Sequence, residues 1–139
     1  MKNFLRRYGL TIAWAALLFG LSSISDLSSP VNLFSWDDKI QHALAYMPFG
    51  WLLLRSLAWK RKIHRGDFGF AIIIGVLYSV TDEIHQYFVP GRFMDWTDAV
   101  ADAIGVTVGG WIFYRWQERW FSKQQANAQA PGENVGGLA

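Results

Sequence analysis

Four long apolar segments, separated by short charged connections, decide what this chain can fold into. They cover residues 8–25, 40–59, 68–89 and 98–120, and the first of them carries no charge. A helix needs about 20 mainly apolar residues to cross the hydrocarbon core of a bilayer. The segments therefore predict an all-α integral membrane bundle of four transmembrane helices. A soluble helical bundle is the alternative, but its helices would lack a polar face along most of their length.

The basic residues set the orientation of these segments. With both termini in the cytoplasm, only Lys39 and Arg92 of the 13 Lys and Arg residues lie outside. The inner group is Lys2, Arg6, Arg7, Arg55, Lys60, Arg61, Lys62, Arg65, Arg115, Arg119 and Lys123. This asymmetry is the positive-inside pattern, so it predicts an N-in/C-in topology. Tryptophans, which favour membrane interfaces, agree with it at the outer boundary (Trp36, Trp96) and the inner one (Trp59, Trp116, Trp120).

The two ends of the chain have distinct compositions. Residues 1–121 form the expected membrane domain, whereas residues 122–139, rich in Gln, Ala, Asn and Gly, are expected to form a disordered cytoplasmic tail. The first apolar segment also has features of a signal peptide, including small residues at Ser23 and Ser25. Its uncharged run of 18 residues is long for a signal peptide, however, and its removal would unbalance the charge pattern.

Composition excludes two other classes of protein. The chain has no cysteine, so it has neither disulfides nor thiolate zinc sites. Its net charge is only +2, and no basic stripe accompanies a nucleic-acid motif. Nucleic acid is therefore not an expected partner.

Acidic residues concentrate at the outer ends of the apolar segments. In the predicted topology, 8 of the 11 acids lie at or near the outer face: Asp26, Asp37, Asp38, Asp82, Glu83, Asp95, Asp98 and Asp102. Helical spacing puts polar residues on one face of each of three helices: Asp38, His42 and Tyr46; Asp82, His85 and Gln86; and Asp95, Asp98 and Asp102. Because lipid does not tolerate such faces, they should turn toward one another and form a polar cleft in the outer half of the bundle.

Several of these polar residues also have a purely structural interpretation. Asp37 is expected to be the N-cap of the second helix, and Asp95 or Thr97 that of the fourth. Asp26 and His64 read as loop residues, and His85 can face either the headgroups or the cleft. For the remaining residues, the structural alternative is a hydrogen-bond network that only fixes the bundle.

Two glycines in the fourth segment indicate close helix packing beneath this polar stripe. Gly105 and Gly109 form a GxxxG motif on the same helical face as Asp98 and Asp102. Pro90 and Gly91 predict a turn after the third segment.

Together these motifs carry a resemblance to a known family. The motif residues are Asp38, Lys39, His42 and Tyr46; then Thr81, Asp82, Glu83 and Gln86; then Val89, Pro90, Gly91, Arg92, Asp95 and Asp98; and finally Gly105 and Gly109. In them the chain resembles the VanZ-like family, from the first segment to the fourth. It departs from the family pattern at Asp102, where Asn is frequent. A protonated Asp102 could donate a hydrogen bond as that Asn does.

The resemblance implies a small, multi-pass protein of the bacterial inner (cytoplasmic) membrane. The family takes its name from a glycopeptide-resistance gene linked to teicoplanin, and its biochemical activity is not established in general. It is suspected of acting on lipid-linked cell-envelope substrates at the outer leaflet. The implied partner is therefore a membrane lipid headgroup or a lipid-linked precursor, and an effect on glycopeptide susceptibility is the implied phenotype.

The residue types suggest roles in such a site. His42 would be the base or nucleophile, oriented by Asp38, while Arg92 and Lys39 would hold an anionic headgroup. The catalytic candidates are Asp38, His42, Glu83, Gln86 and Asp98. The substrate-binding candidates are Lys39, Tyr46, Arg92, Asp95 and Asp102. Oxygen ligands favour hard cations, so Glu83, Asp98 and Asp102 are candidate ligands of Mg²⁺ or Ca²⁺.

Two functions other than catalysis stay open. The cleft could bind a precursor, a glycopeptide or an envelope enzyme without catalysing a reaction, as a scaffold protein would. A small ion-coupled transporter would need polar residues through the full membrane depth, whereas the inner halves of these segments are nearly all apolar.

Overall fold

Every regular element of the described structure is an α-helix. The computed structural model describes residues 1–25 and 36–129. Its helices are α1 (Lys2–Ser22), α2 (Asp37–Leu57), α3 (Arg65–Tyr87) and α4 (Trp96–Gln129). Each contains most of one apolar segment, so the predicted all-α fold is confirmed. Asp26, expected in a loop, lies outside the described residues.

The distribution of apolar side chains indicates a membrane protein. By length and composition, α1 and α3 are apolar enough to cross a membrane. Their large apolar side chains point outward, as shown by exposures of 60% for Leu10 and 62% for Leu77. Charged groups are instead buried between the helices, as with Glu83 and Asp102. A protein folded in water normally has the opposite arrangement.

The closest helix contact in the bundle is the one between α2 and α4. A Cβ atom added at Gly105 would collide with the carbonyl oxygen of Ala43, and one added at Gly109 with that of Met47. On the facing helix, a Cβ at Gly50 would collide with the carbonyl of Val106. Glycines on both helices therefore let the two backbones touch, as the GxxxG motif predicts.

Side-chain hydrogen bonds, in addition to packing, attach α1 to α2 and to α3. The indole of Trp14 on α1 donates to the carbonyl of Ala45 at 3.0 Å, and the Thr11 and Ser56 hydroxyls lie 2.8 Å apart. The Tyr78 hydroxyl of α3 donates to the carbonyl of Ala15 at 2.6 Å. These bonds fix the orientation of α1 against its neighbours, and so which of its side chains face the other helices.

The helix ends agree with some predicted caps and differ from others. Asp95 precedes α4, and its Oδ1 accepts a hydrogen bond from the Thr97 N–H at 2.9 Å, which is the N-cap geometry predicted for Asp95. Asp37 is instead the first residue of α2, and Trp36 occupies the N-cap position, so the predicted Asp37 cap is wrong. Gly91 has a φ of 82° in the predicted turn, a conformation that suits glycine.

The fourth helix is longer than its apolar segment. It continues through Gln129, so residues 122–129 are helical rather than disordered. Ala, Gln and Lys, which dominate this stretch, are good helix formers even without packing. Residues 130–139 lie outside the described part of the chain.

Candidate functional site

The acidic residues predicted to form a cleft come together where α2 and α4 begin and α3 ends. Four of them are almost completely buried, with exposures of 4% for Asp82, 1% for Glu83, 5% for Asp98 and 0% for Asp102. Burying carboxylates in an apolar bundle is costly unless each finds hydrogen-bond partners. The partners therefore reveal how this site is organised.

His42 is held by Asp102. Its Nδ1 lies at hydrogen-bond distance from Asp102 Oδ1, 3.1 Å away, and the second oxygen of that carboxyl group accepts from the Ser79 hydroxyl at 3.0 Å. The sequence-based expectation was that Asp38 orients His42. Asp38 lies in the first turn of α2 with a side chain 66% exposed, and its Oδ1 is 3.9 Å from His42 Nε2. Asp102 takes the orienting position because Gly105, one turn further along α4, brings that helix against α2.

Lys39 lies among three carboxylates. Its ammonium donates to Asp95 at 2.8 Å and to Asp98 in a shorter contact, and Asp38 is 3.4 Å away. Hydrogen bonding to Lys39 holds the pKa of Asp95 well below its usual value. Because its charge is already neutralised, Lys39 is poorly suited to the anion-binding role that the sequence suggests. Its position indicates instead that it ties the start of α2 to the start of α4.

Glu83 and Gln86 support the connection between α3 and α4. Glu83 Oε2 accepts the backbone N–H of Asp95 at 3.0 Å, and its Oε1 accepts from the Gln86 amide at 3.4 Å. The residue that caps α4 is thus fixed by a carboxylate from α3. Both residues lie at the predicted site, and both have contacts that a structural role would explain.

The buried carboxylate of Asp82 joins α1 to the site. Asp82 accepts hydrogen bonds from the Ser22 hydroxyl at 2.7 Å and from the Tyr46 hydroxyl at 3.1 Å. Sequence reasoning missed Ser22 and Ser79, because a serine within an apolar helix has no spacing signal of its own. Helical spacing was the one available signal, because Ser79 lies about one turn before Asp82 and Ser22 about one turn before Asp26.

His85 lies away from this cluster. Its ring stacks on Phe19 with centroids 4.1 Å apart, and its Nε2 is 2.9 Å from the Ser23 hydroxyl. Both partners belong to α1 or its C-terminal end. His85 therefore lies outside the cleft, packed against the C-terminal end of α1.

A cavity of about 220 Å³ opens beside His42. Its wall includes Tyr46, Asp82, Gln86 and Arg92. The Nε of Arg92 is shielded from solvent without a hydrogen-bond partner, and no carboxylate of residues 1–25 or 36–129 lies within 4.0 Å of this guanidinium. Among the described residues, Arg92 is thus the cation of this cavity that has no carboxylate partner.

A larger groove of about 540 Å³ lies between α3 and α4, but it contains none of these groups. Its wall is almost entirely apolar, with Val76, Val100 and Ile104 among its residues. On the outside of a membrane protein, such a surface meets lipid chains. The smaller polar cavity is therefore the better candidate for chemistry.

Two groups of side chains could hold a metal ion in the described part of the chain. They are Asp38, His42 and Asp98, and His42, Glu83 and Asp102, with the ligand atoms of each group within 4.8 Å of one another. The predicted set of Glu83, Asp98 and Asp102 is neither of these. Because both contain an imidazole, the donors are mixed nitrogen and oxygen, which suits Zn²⁺ or Mn²⁺ better than the expected Mg²⁺ or Ca²⁺. The Lys39 ammonium on Asp98 further disfavours a cation in the first group.

Comparison with known proteins identifies a family. A model of the VanZ/LLP1 family matches residues 3–117. That region contains α1, α2, α3 and most of α4, and it includes every candidate site residue. No curated protein and no solved structure matches the chain.

Proposed function

The chain belongs to the VanZ/LLP1 family, and we propose that it is a four-span protein of the bacterial cytoplasmic membrane whose polar cavity binds the anionic headgroup of a lipid or lipid-linked envelope precursor at the outer leaflet. Four long helices, of which α1 and α3 are apolar enough to cross a membrane, and the asymmetric distribution of Lys and Arg support this topology. The polar end of the bundle then faces the outside.

The observation that carries this proposal is the Nε of Arg92, which is buried at the same cavity as His42 and has no hydrogen-bond partner among residues 1–25 and 36–129. A buried donor without a partner is unfavourable, so its presence points to a ligand that supplies the acceptor. Arg suits phosphate because its planar fork donates two parallel hydrogen bonds. Because the charge of Lys39 is neutralised by its carboxylate partners, Arg92 alone would bind the anion, rather than Arg92 and Lys39 together.

The pair formed by His42 and Asp102 provides a means of catalysis. When Nδ1 donates to the Asp102 carboxylate, the lone pair of Nε2 is free to accept a proton. A hydroxyl or water held at Nε2 would give its proton to His42 as its oxygen attacks the phosphorus of a phosphate bound at Arg92. The phosphorus–oxygen bond to the leaving alcohol would break, and the protonated imidazole would return the proton to that oxygen. Asp102 then orients the imidazole, while Glu83 and Gln86 keep the cavity wall in place.

A non-catalytic binding or scaffold role is the second candidate, and a specific observation favours it. Most buried polar groups of the site already have partners within the bundle, including Lys39 with its carboxylates and Asp82 with Ser22 and Tyr46. Such a network stabilises one arrangement of helices whether or not chemistry takes place.

Purified protein in detergent distinguishes these roles. Lipids that co-purify are identified by mass spectrometry, and turnover of labelled phospholipid is followed in parallel. We expect Arg92→Gln to bind one anionic lipid fewer than the wild type, and His42→Gln to retain the lipid but lose turnover. His85→Gln is the matched control, because it makes the same change at the same end of the bundle but outside the cavity.

Each result has a definite consequence. Retention of lipid by Arg92→Gln at the wild-type level would refute anion binding at the cavity. Bound lipid without turnover in the wild type would replace catalysis by binding or scaffolding. Repeating the turnover assay after chelator treatment, with Zn²⁺, Mn²⁺, Mg²⁺ or Ca²⁺ added back, tests for a metal requirement.

A further inference from the structure

A second pocket, of about 220 Å³, lies at the opposite end of the bundle from the acidic cluster. It is formed where α2 ends, against the second half of α4. Its wall contains Trp51, Arg55, Trp59, Lys60 and Trp116. No acidic residue from the described part of the chain lines it, whereas acids dominate the other end of the bundle.

Arg55 is the polar group that stands out in this pocket. Its guanidinium lies over the Trp59 ring, 4.9 Å from the centroid. Its Nη1 is shielded from solvent and has no hydrogen-bond partner within the described ranges 1–25 and 36–129. Stacking occupies the flat face of a guanidinium and leaves its in-plane N–H groups free, so the side chain is oriented but not satisfied.

Two neighbouring arginines differ from Arg55 in this respect. Arg61 makes a two-pronged ion pair with Asp67, with both N–O distances 2.7 Å. Arg7 donates from Nε to the carbonyl of Ser56 at 2.8 Å. Intramolecular acceptors are therefore used at this end of the bundle, whereas Arg55 Nη1 has none among the described residues. No acceptor for Arg55 Nη1 comes from residues 1–25 or 36–129, so an anion bound from outside this part of the chain, or water, can supply it.

The surroundings of Arg55 favour an anion that carries acyl chains. Trp51, Phe113 and Trp116 form an aromatic cluster with ring centroids 5.2 to 5.9 Å apart. Trp51 lies one helical turn from Arg55 toward the middle of α2, and Trp116 is 52% exposed on the outside of the bundle. An apolar wall that leads from a cation toward the bilayer interior matches a phospholipid, and Trp is typical of the membrane interface.

Lys60 adds a second positive charge in an unusual backbone conformation. Its φ is 59°, in the left-handed region that normally favours glycine at the end of a helix. A lysine at this position is strained but lies on the pocket wall beside Arg55. Glycine would relieve the strain and remove the charge, so stability and binding can be separated experimentally.

We propose that this pocket binds the phosphate group of an anionic phospholipid, with Arg55 as the bidentate donor, Lys60 as a second cation and the Trp51–Phe113–Trp116 cluster against the acyl chains. This site is independent of the cavity at His42. In the proposed topology it lies in the cytoplasmic leaflet, where basic pockets between helices bind acidic headgroups.

The test uses the full chain in neutral detergent, with phosphatidylglycerol, phosphatidylcholine and inorganic phosphate as three separate probes. Binding is measured by native mass spectrometry, and the shift in melting temperature is recorded beside it. We expect phosphatidylglycerol alone to bind and stabilise the wild type. Arg55→Gln should weaken this binding about tenfold or more, equivalent to about 1.4 kcal/mol. Lys62→Gln, which removes one exposed charge from the same connection, should change it less than about twofold.

A second variant tests the proposal independently, in case Arg55→Gln does not fold. Lys60→Gly should raise the melting temperature without lipid and still weaken phosphatidylglycerol binding, which a purely structural lysine would not do. Equal binding of phosphatidylglycerol by wild type and both pocket variants would overturn the proposal. So would equal binding of phosphatidylcholine, and stabilisation by inorganic phosphate alone would overturn the assignment to a lipid.

Discussion

Replacing Gly109 by alanine adds one methyl group at the point where α2 and α4 touch. The new Cβ would collide with the Met47 carbonyl oxygen and lie 2.7 Å from its carbonyl carbon. Ordinary van der Waals contact lies at 3.4–4 Å. Because the obstructing atoms belong to the backbone of α2, they cannot rotate away as a flexible side chain could. The two helices must therefore separate along their whole contact.

The size of the effect follows from two opposing contributions. Overpacking a closely packed contact costs about 1–3 kcal/mol, and a rigid backbone obstacle places this site toward the upper value. Alanine recovers about 0.5–1 kcal/mol relative to glycine within a helix. The net loss in free energy of unfolding for Gly109→Ala is thus about 2 kcal/mol. Gly9→Ala is the matched control, since nothing lies within 4 Å of its added Cβ, and it should stabilise by about 0.5–1 kcal/mol.

Reversible unfolding in mixed detergent micelles, followed by tryptophan fluorescence, measures both free energies. The two substitutions are chemically identical, so propensity effects largely cancel and the difference between them, about 3 kcal/mol, reports the helix contact. Equal stability of Gly109→Ala and Gly9→Ala would refute the close crossing of α2 and α4. The position of Asp102 beside His42 would then lose its support as well.

Three further predictions concern topology, charge and the site. Cysteines introduced at Ser29 and Lys62 should react with a membrane-impermeant thiol reagent on intact spheroplasts at position 29 only, and labelling at 62 alone would reverse the proposed topology. Because hydrogen bonding to Lys39 lowers the pKa of Asp95, the stability from this pair should be complete above the usual Asp pKa of about 3.9 and disappear as the pH falls through the lowered pKa. Melting curves of wild type and Asp95→Asn should converge at low pH, and a constant difference would contradict this. Glu83→Gln should accumulate and melt near wild type yet lose any effect on glycopeptide susceptibility, whereas a large loss of stability would make its role structural.

The helices and their polar faces were predictable from the sequence. Runs of about 20 apolar residues specify helices whatever their neighbours, because each helix satisfies its own backbone hydrogen bonds. Helical periodicity likewise placed His42 on one face of α2 and Asp98 with Asp102 on one face of α4. The glycines at 105 and 109 indicated a close approach, since only a missing side chain permits backbone contact.

The pairing of charges was decided by the tertiary structure alone. Sequence spacing identifies neighbours along one helix, and it therefore assigned His42 to Asp38, four residues before it. The observed partner, Asp102, comes from another helix, and the choice depends on the rotation of α2 and α4 and on their separation at Gly105. These quantities result from packing over the whole helix contact, which no local pattern encodes.

The same reason explains which cations remain available. Lys39 and Arg92 are equivalent in the sequence, as the two basic residues on the predicted outer side. In the folded chain, Lys39 meets Asp95 and Asp98, while Arg92 lies at the cavity without a carboxylate among the described residues. Arg55 differs from Arg61 in the same way, because Asp67 reaches only Arg61. The sequence by itself determined the helices and the supply of charges, and only the packing of the helices determined which charges are neutralised and which can hold a ligand.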